Sequence, residues 1–187
     1  MDTQKKLYVA LGVLVLLGGA VFVQNQSHDK DAQAHSLAGV REGLPKVEVS
    51  DDQIKSIDRV VLDKPEGKSG PRQTIELKKA GEDDWSLAAP VQAKANTSNV
   101  KSLLENLKKL TVTEQIAGNK AEYERWGVSD EKALHATFYK GADKVLELYF
   151  GEDGSRGQMT RFPDKDGVYA MSGFSKWLFE REPSSPK

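Results

Sequence analysis

Residues 7–23, LYVALGVLVLLGGAVFV, carry no charged side chain, and no other stretch constrains the chain as tightly. About 17 residues rising 1.5 Å each make roughly 26 Å of helix, enough to cross a thin hydrocarbon core. Lys5 and Lys6 precede the run, and the positive-inside rule keeps them in the cytoplasm. Residues 1–6 are therefore expected inside the cell and the rest of the chain beyond the membrane. Leu7, Tyr8, Leu11, Leu14, Leu17 and Phe22 form the expected anchor, with Tyr8 and Phe22 near the two interfaces. A cleaved signal peptide is the competing reading, since Gly18-Gly19-Ala20 offers small residues. A cut there would leave Val21, Phe22 and Val23 on the mature end, so a retained single-pass anchor in a bacterial inner membrane is preferred, with the C-terminal part in the periplasm. No cysteine follows the run, which excludes a lipoprotein.

Residues 24–46 are polar and short of large apolar side chains, and read as a flexible tether whose root-mean-square reach is on the order of 25 Å. His28 and His35 lie in this tether and are read as solvated. The remaining length suits one domain, residues 47–182, with a disordered tail at 183–187. Across the 187 residues, 29% are charged with a formal net charge of -1, which argues against a nucleic-acid binder needing a basic surface. The absence of cysteine excludes disulfides, thiolate metal sites and a cysteine nucleophile.

Within the domain, residues 57–62 and the alternating QTIELK at 73–78 predict strands, and Trp85-Ser-Leu87 a short third one ended by Pro90. Asn96, or Ser98 as alternative, caps a helix with apolar positions at Val100, Leu103, Leu104, Leu107 and Leu110. The segment from Thr111 predicts a short strand, then a short helix carrying Tyr123 and Trp126, stopped by Gly127. LHATFYK and KVLELYFG form a hairpin around Gly141-Ala142-Asp143, two more strands flank 163–167, and FSKWLFE closes with an amphipathic helix. The two halves read as a loose duplication about 75 residues apart, with WSLAAP set against VYAMSG and QMTRF as an extra strand. The fold class is α+β: antiparallel sheet with packed helices, possibly as two βββα-type halves. Trp85, Leu87, Val100, Leu103, Leu104, Leu107, Phe138, Leu148, Tyr169 and Trp177 are the expected core.

Chemistry is sparse. The GKS at 67–69 lacks the first glycine of a phosphate-binding loop, since Leu62 holds that position, so Lys68 is not read as a nucleotide ligand. Asp164 and Asp166 begin a calcium-loop pattern that fails at Val168, Tyr169 and Ser175. His135 is the one histidine within the domain and no nucleophile motif accompanies it. No catalytic residue, metal or cofactor is expected. Tyr123 and Trp126, between the halves, are the candidate partner surface.

The order of Trp85-Ser-Leu87 with Pro90, Ala95-Asn96 ahead of Val100, Tyr123 to Val128, and Leu148-Tyr-Phe-Gly151 resembles the DUF4340-like family of membrane-anchored auxiliary proteins found beside gliding-motility-type ABC transporters. That family's pattern runs W-x-L-x-x-P, a capped helix, Y-x-x-[YW]-G-L and an L-x-x-G strand end. The chain departs from it at Asn96, Val128 and Asp130, where Asp, Leu and Pro are usual. The resemblance implies a non-enzymatic accessory or scaffolding subunit of an envelope or transporter complex, working through a membrane-protein partner. A released periplasmic module that binds a glycan or lipid is the alternative expectation.

Overall fold

The computed structural model describes residues 41–66, 70–82 and 84–173. The expected anchor at 7–23, the tether up to residue 40, Lys68, the closing helix with Trp177 and the tail lie outside the described residues. Among the described residues no helix is long and apolar enough to cross a membrane.

The first element is a helix, α1 (Asp51–Ser56), where the sequence reading had no helix. Its cause is a capping box. Ser50 Oγ accepts from Gln53 N at 3.2 Å, and Gln53 Oε1 accepts from Ser50 N at 2.9 Å, so each end of the motif satisfies the other's free amide. Asp51 and Asp52 favour the positive end of this short turn, and Ile54 points into the core. The helix displaces the first strand, β1, to Arg59–Pro65 rather than 57–62. Strand β1 buries Val60 and Leu62 by simple alternation. The pattern repeats in β2 (Arg72–Lys79) through Ile75 and Leu77, and in β3 (Trp85–Ala89) through Trp85 and Leu87. After Pro90 comes β4 (Ala93–Lys94), a two-residue strand too short for sequence periodicity to reveal.

Helix α2 (Thr97–Asn106) takes Asn96 as its N-cap, with the Asn96 carboxamide accepting from Asn99 N at 3.2 Å, and it ends in a 3-10 turn at Leu107–Lys109. Val100, Leu103, Leu104 and Leu107 cover one face of the sheet. The chain then forms β5 (Thr111–Ala117) and a single 3-10 turn at Lys120–Glu122. Tyr123 and Trp126 follow that turn in irregular backbone, not on the short helix expected there. Four strands complete the sheet: β6 (Leu134–Lys140), β7 (Asp143–Gly154), β8 (Gly157–Arg161) and β9 (Val168–Ser172).

All pairings are antiparallel, in the order β4-β3-β2-β1-β6-β7-β8-β9-β5, so the domain is α+β with the sheet dominant. Two meanders, β1 to β4 and β6 to β9, run outward from the central β1–β6 pair. Counted from that centre, β3 stands where β8 stands and β4 where β9 stands. The sequence alignment of Trp85 with Tyr169 therefore joins non-equivalent strands, and QMTR is no extra strand, because β4 had gone unseen.

One cluster spans both meanders on one face. It holds Trp85 (3% exposed), Leu87, Val100, Leu103, Leu104, Leu107, Phe138, Leu148 and Tyr169, and it includes α1 through Ile54. A second, smaller cluster lies on the opposite face: along β9, Tyr169 and Met171 join the first cluster while Val168 and Ala170 join the second with Ile116, Val128 and Met159. It exists because the 118–133 connection must return from the outer strand β5 to the central strand β6, and in doing so crosses that face.

Candidate recognition surface

Away from this crossing the second face of the sheet is open, and alternation decides what it presents. On β1 it shows Arg59, Val61 and Asp63; on β6, His135, Thr137 and Tyr139; on β7, Glu147 and Tyr149; on β8, Arg161. Register sets Asp63, His135, Tyr149 and Arg161 in one row across four strands. The His135 ring lies parallel to Tyr149 with centroids 4.1 Å apart, and the Arg161 guanidinium sits 3.5 Å from the Tyr149 centroid from the next strand over. Tyr149 is thus held between an imidazole and a guanidinium. Arg59 covers Tyr139 in the same way, at 3.8 Å.

His135 Nε2 is 2.8 Å from Glu147 Oε1 and 3.3 Å from Thr137 Oγ1. Lys144 Nζ donates to the other Glu147 oxygen at 2.6 Å. Burial pushes the Glu147 carboxyl up, yet the hydrogen bonds from Lys144 and His135 outweigh it and hold the group below its ordinary range. An ionised carboxylate only accepts, so Nε2 carries the proton and cannot also take one from Thr137. Activation of a hydroxyl nucleophile needs carboxylate and hydroxyl on opposite ring nitrogens. Here both share one, and the only acid in contact is held ionised, so this cluster supplies neither an activated nucleophile nor a general acid.

Arg161 is 8% exposed and links the sheet to the crossing segment. Its Nε donates to Val128 O at 2.7 Å, its Nη2 pairs with the Asp130 carboxylate, and it lies 4.9 Å over the Tyr123 ring. Tyr123 in turn donates its hydroxyl to Lys165 O at 3.0 Å; burial raises its pKa, with Arg161 opposing. Trp126 packs on the second cluster, with Arg125 and Arg156 at 5.1 and 5.7 Å from its ring. Both aromatics proposed from sequence as a partner surface are half-buried and tied down at several points.

Two glycines explain the spacing around them. Gly127 has φ +66°, the left-handed conformation that lets the turn reverse. Gly151 sits under the Trp126 carbonyl, where a Cβ would collide with that oxygen, while Glu152 N donates to it at 3.1 Å. Gly151 does not end a strand, as its motif suggested: β7 continues to Gly154, and the pairing with β8 shifts register between Phe150 and Asp153.

A residue that sequence reasoning missed holds the far end of the crossing. Arg72, on β2, uses all five of its N–H groups: Nε to Asp63 Oδ2 (2.8 Å), Nη1 to the carbonyls of Asp130 (2.6 Å) and Glu131 (3.1 Å), and Nη2 to those of Asp63 (2.8 Å) and Ala133 (3.0 Å). It thereby ties the first meander to the loop feeding the second. Nothing local in the sequence marks Arg72 or Arg161, because their partners lie far along the chain.

The turn at Tyr123 to Val128, seated on Gly151, is the joint that the motifs describe, and it falls within residues 85–185, which match the model of a domain of unknown function, DUF4340. The chain belongs to the DUF4340 family. No curated protein and no solved structure matches it. Trp85 opens the matched segment, while α1, β1 and β2 precede it.

Proposed function

We propose that this DUF4340 protein is a membrane-anchored, non-enzymatic accessory or scaffolding subunit of a bacterial envelope or transporter-associated complex, acting by protein–protein binding. Residues 7–23 hold it in the inner membrane, the tether sets its reach, and the domain works in the periplasm. The observation that carries this reading is the make-up of the open face. Arg59, Tyr139, His135, Tyr149 and Arg161 are the residue types enriched in protein interfaces, while His135 and Glu147 are bonded in a way that leaves no activated nucleophile between them. The resemblance to auxiliary proteins encoded beside ABC transporters supports the location and the class of partner.

The glycan-binding alternative has less support. Sugars stack on free aromatic faces, and Tyr123, Trp126, Tyr139 and Tyr149 each already carry a guanidinium over the ring. The reading includes an origin by duplication, supported by the two four-stranded meanders about the β1–β6 pair.

The test is purification of the full chain from membranes in mild detergent, with mass spectrometry of what accompanies it. A stoichiometric membrane or envelope protein is expected. Recovery of the chain alone from the soluble periplasmic fraction, with residues 1–20 removed, would overturn the reading.

A further inference from the structure

Extended across the sheet, the registers place Lys94, Ser86, Lys78, Arg59, Tyr139 and Lys144 opposite one another on β4, β3, β2, β1, β6 and β7. Six strands at about 4.8 Å spacing make this row about 24 Å long. It contains four cations, two hydroxyls and no carboxylate. The neighbouring row one step along the strands runs the other way in charge, with Glu76 and Glu147. The β4 end of the cationic row opens into a shallow hollow lined by Lys78, Ser86, Ala88, Gln92 and Lys94, where small side chains expose the strand surface.

We propose that this row is a docking groove for an extended, acidic segment of a protein partner, lying across the strands from Lys94 to Lys144. The proposal rests on the protein-binding reading above and gives its contact a place and a chemistry. The four cations have local partners: Lys94 with Asp84 (3.6 Å), Lys78 and Arg59 with Glu76 (3.3 and 3.7 Å), and Lys144 with Glu147 (2.6 Å). Lys94 is 79% exposed and Lys78 52%, so their pairs are weak and exchange readily for a ligand carboxylate. The Glu76 and Glu147 row beside them disfavours densely charged polyanions such as nucleic acid, whose phosphates would spread over both rows. A peptide with acids on one edge meets only the cations. The hollow likewise suits a narrow chain better than a flat bilayer surface.

The test uses the full chain in detergent and a fluorescein-labelled peptide of about seven residues, alternating Asp and Ser, since about 3.4 Å per residue matches the row. Anisotropy titrations are expected to show salt-sensitive binding of this peptide and none of its Asn-for-Asp counterpart. The Lys78→Gln/Lys94→Gln double variant, with an unchanged melting temperature, is expected to bind at least about fivefold more weakly. Arg59→Gln is a second variant in the same row and should weaken binding in the same direction. Equal binding of the Asn peptide, undiminished binding by the folded double variant, or a preference for phosphatidylglycerol vesicles over the Asp peptide would each overturn the proposal. Membrane purification separates the two readings. A partner recovered equally with wild type and double variant leaves the accessory reading standing and overturns the groove; a partner recovered with neither overturns the accessory reading, and the peptide titration alone then decides the groove.

Discussion

Trp85 and Arg72 show two ways in which one side chain holds this domain together. Trp85 is buried at 3% exposure within the main cluster, so Trp85→Ala removes a large apolar ring and leaves a cavity, at a cost of about 3–5 kcal/mol by urea unfolding. Loss of binding with unchanged stability would contradict that role. Arg72 acts through geometry. Arg72→Lys keeps the charge but cannot serve the carbonyls of Asp130, Glu131 and Ala133 together with Asp63, and is expected to cost roughly 1–3 kcal/mol. The nearby Lys78→Gln should stay within about 0.5 kcal/mol of wild type. Glu147 gives a pH dependence. Its folded pKa lies below the model value of 4.5, so its contribution is fully present above that value and is lost as the pH falls below it through the lowered folded pKa. Glu147→Gln is therefore expected to flatten the acid limb of a stability profile and leave neutral pH less affected by titration. A profile parallel to wild type below that value would refute this.

At the scale of elements, local signals and distant constraints divide cleanly. The capping box of Ser50 and Gln53 sits in four consecutive residues, and Ser50→Ala is expected to cost about 0.5–2 kcal/mol, readable as a lower urea midpoint. Helix α2 was equally legible, because an Asn cap and an apolar stripe are both short-range patterns. The turn at Tyr123 to Val128 is different. Its residues spell a motif, but the reason for it is Gly151 on a strand that follows later in the chain. Gly151→Ala is expected to push the Trp126 carbonyl off β7, breaking the bond from Glu152 N and shifting tryptophan fluorescence toward the red. An unshifted spectrum with intact stability would show that the turn is seated some other way. His135 was correctly placed away from the core by alternation, yet its contacts with Glu147 and Tyr149 depend on register, which periodicity does not supply.

At the scale of the whole molecule, a sheet this wide has to manage its edges. Strand β4 has only two residues and β5 pairs with β9 through two register shifts, so each outer strand is a poor template for edge-to-edge pairing. Partner binding is accordingly assigned to the face, and the membrane purification described above is the measurement for it. The sequence by itself determined which residues face inward, where α2 begins, and that residues 7–23 form an apolar run, because each depends on neighbours within a few positions. It also carried the family, through short motifs spaced along the chain. Only the tertiary structure decided that the strands form one nine-stranded sheet centred on β1 and β6, that the 118–133 connection crosses its second face, and that Arg72 and Arg161 pin that connection. The physical reason is that register and chain crossing are set by contacts between segments far apart in sequence, whose partners cannot be read from either segment alone.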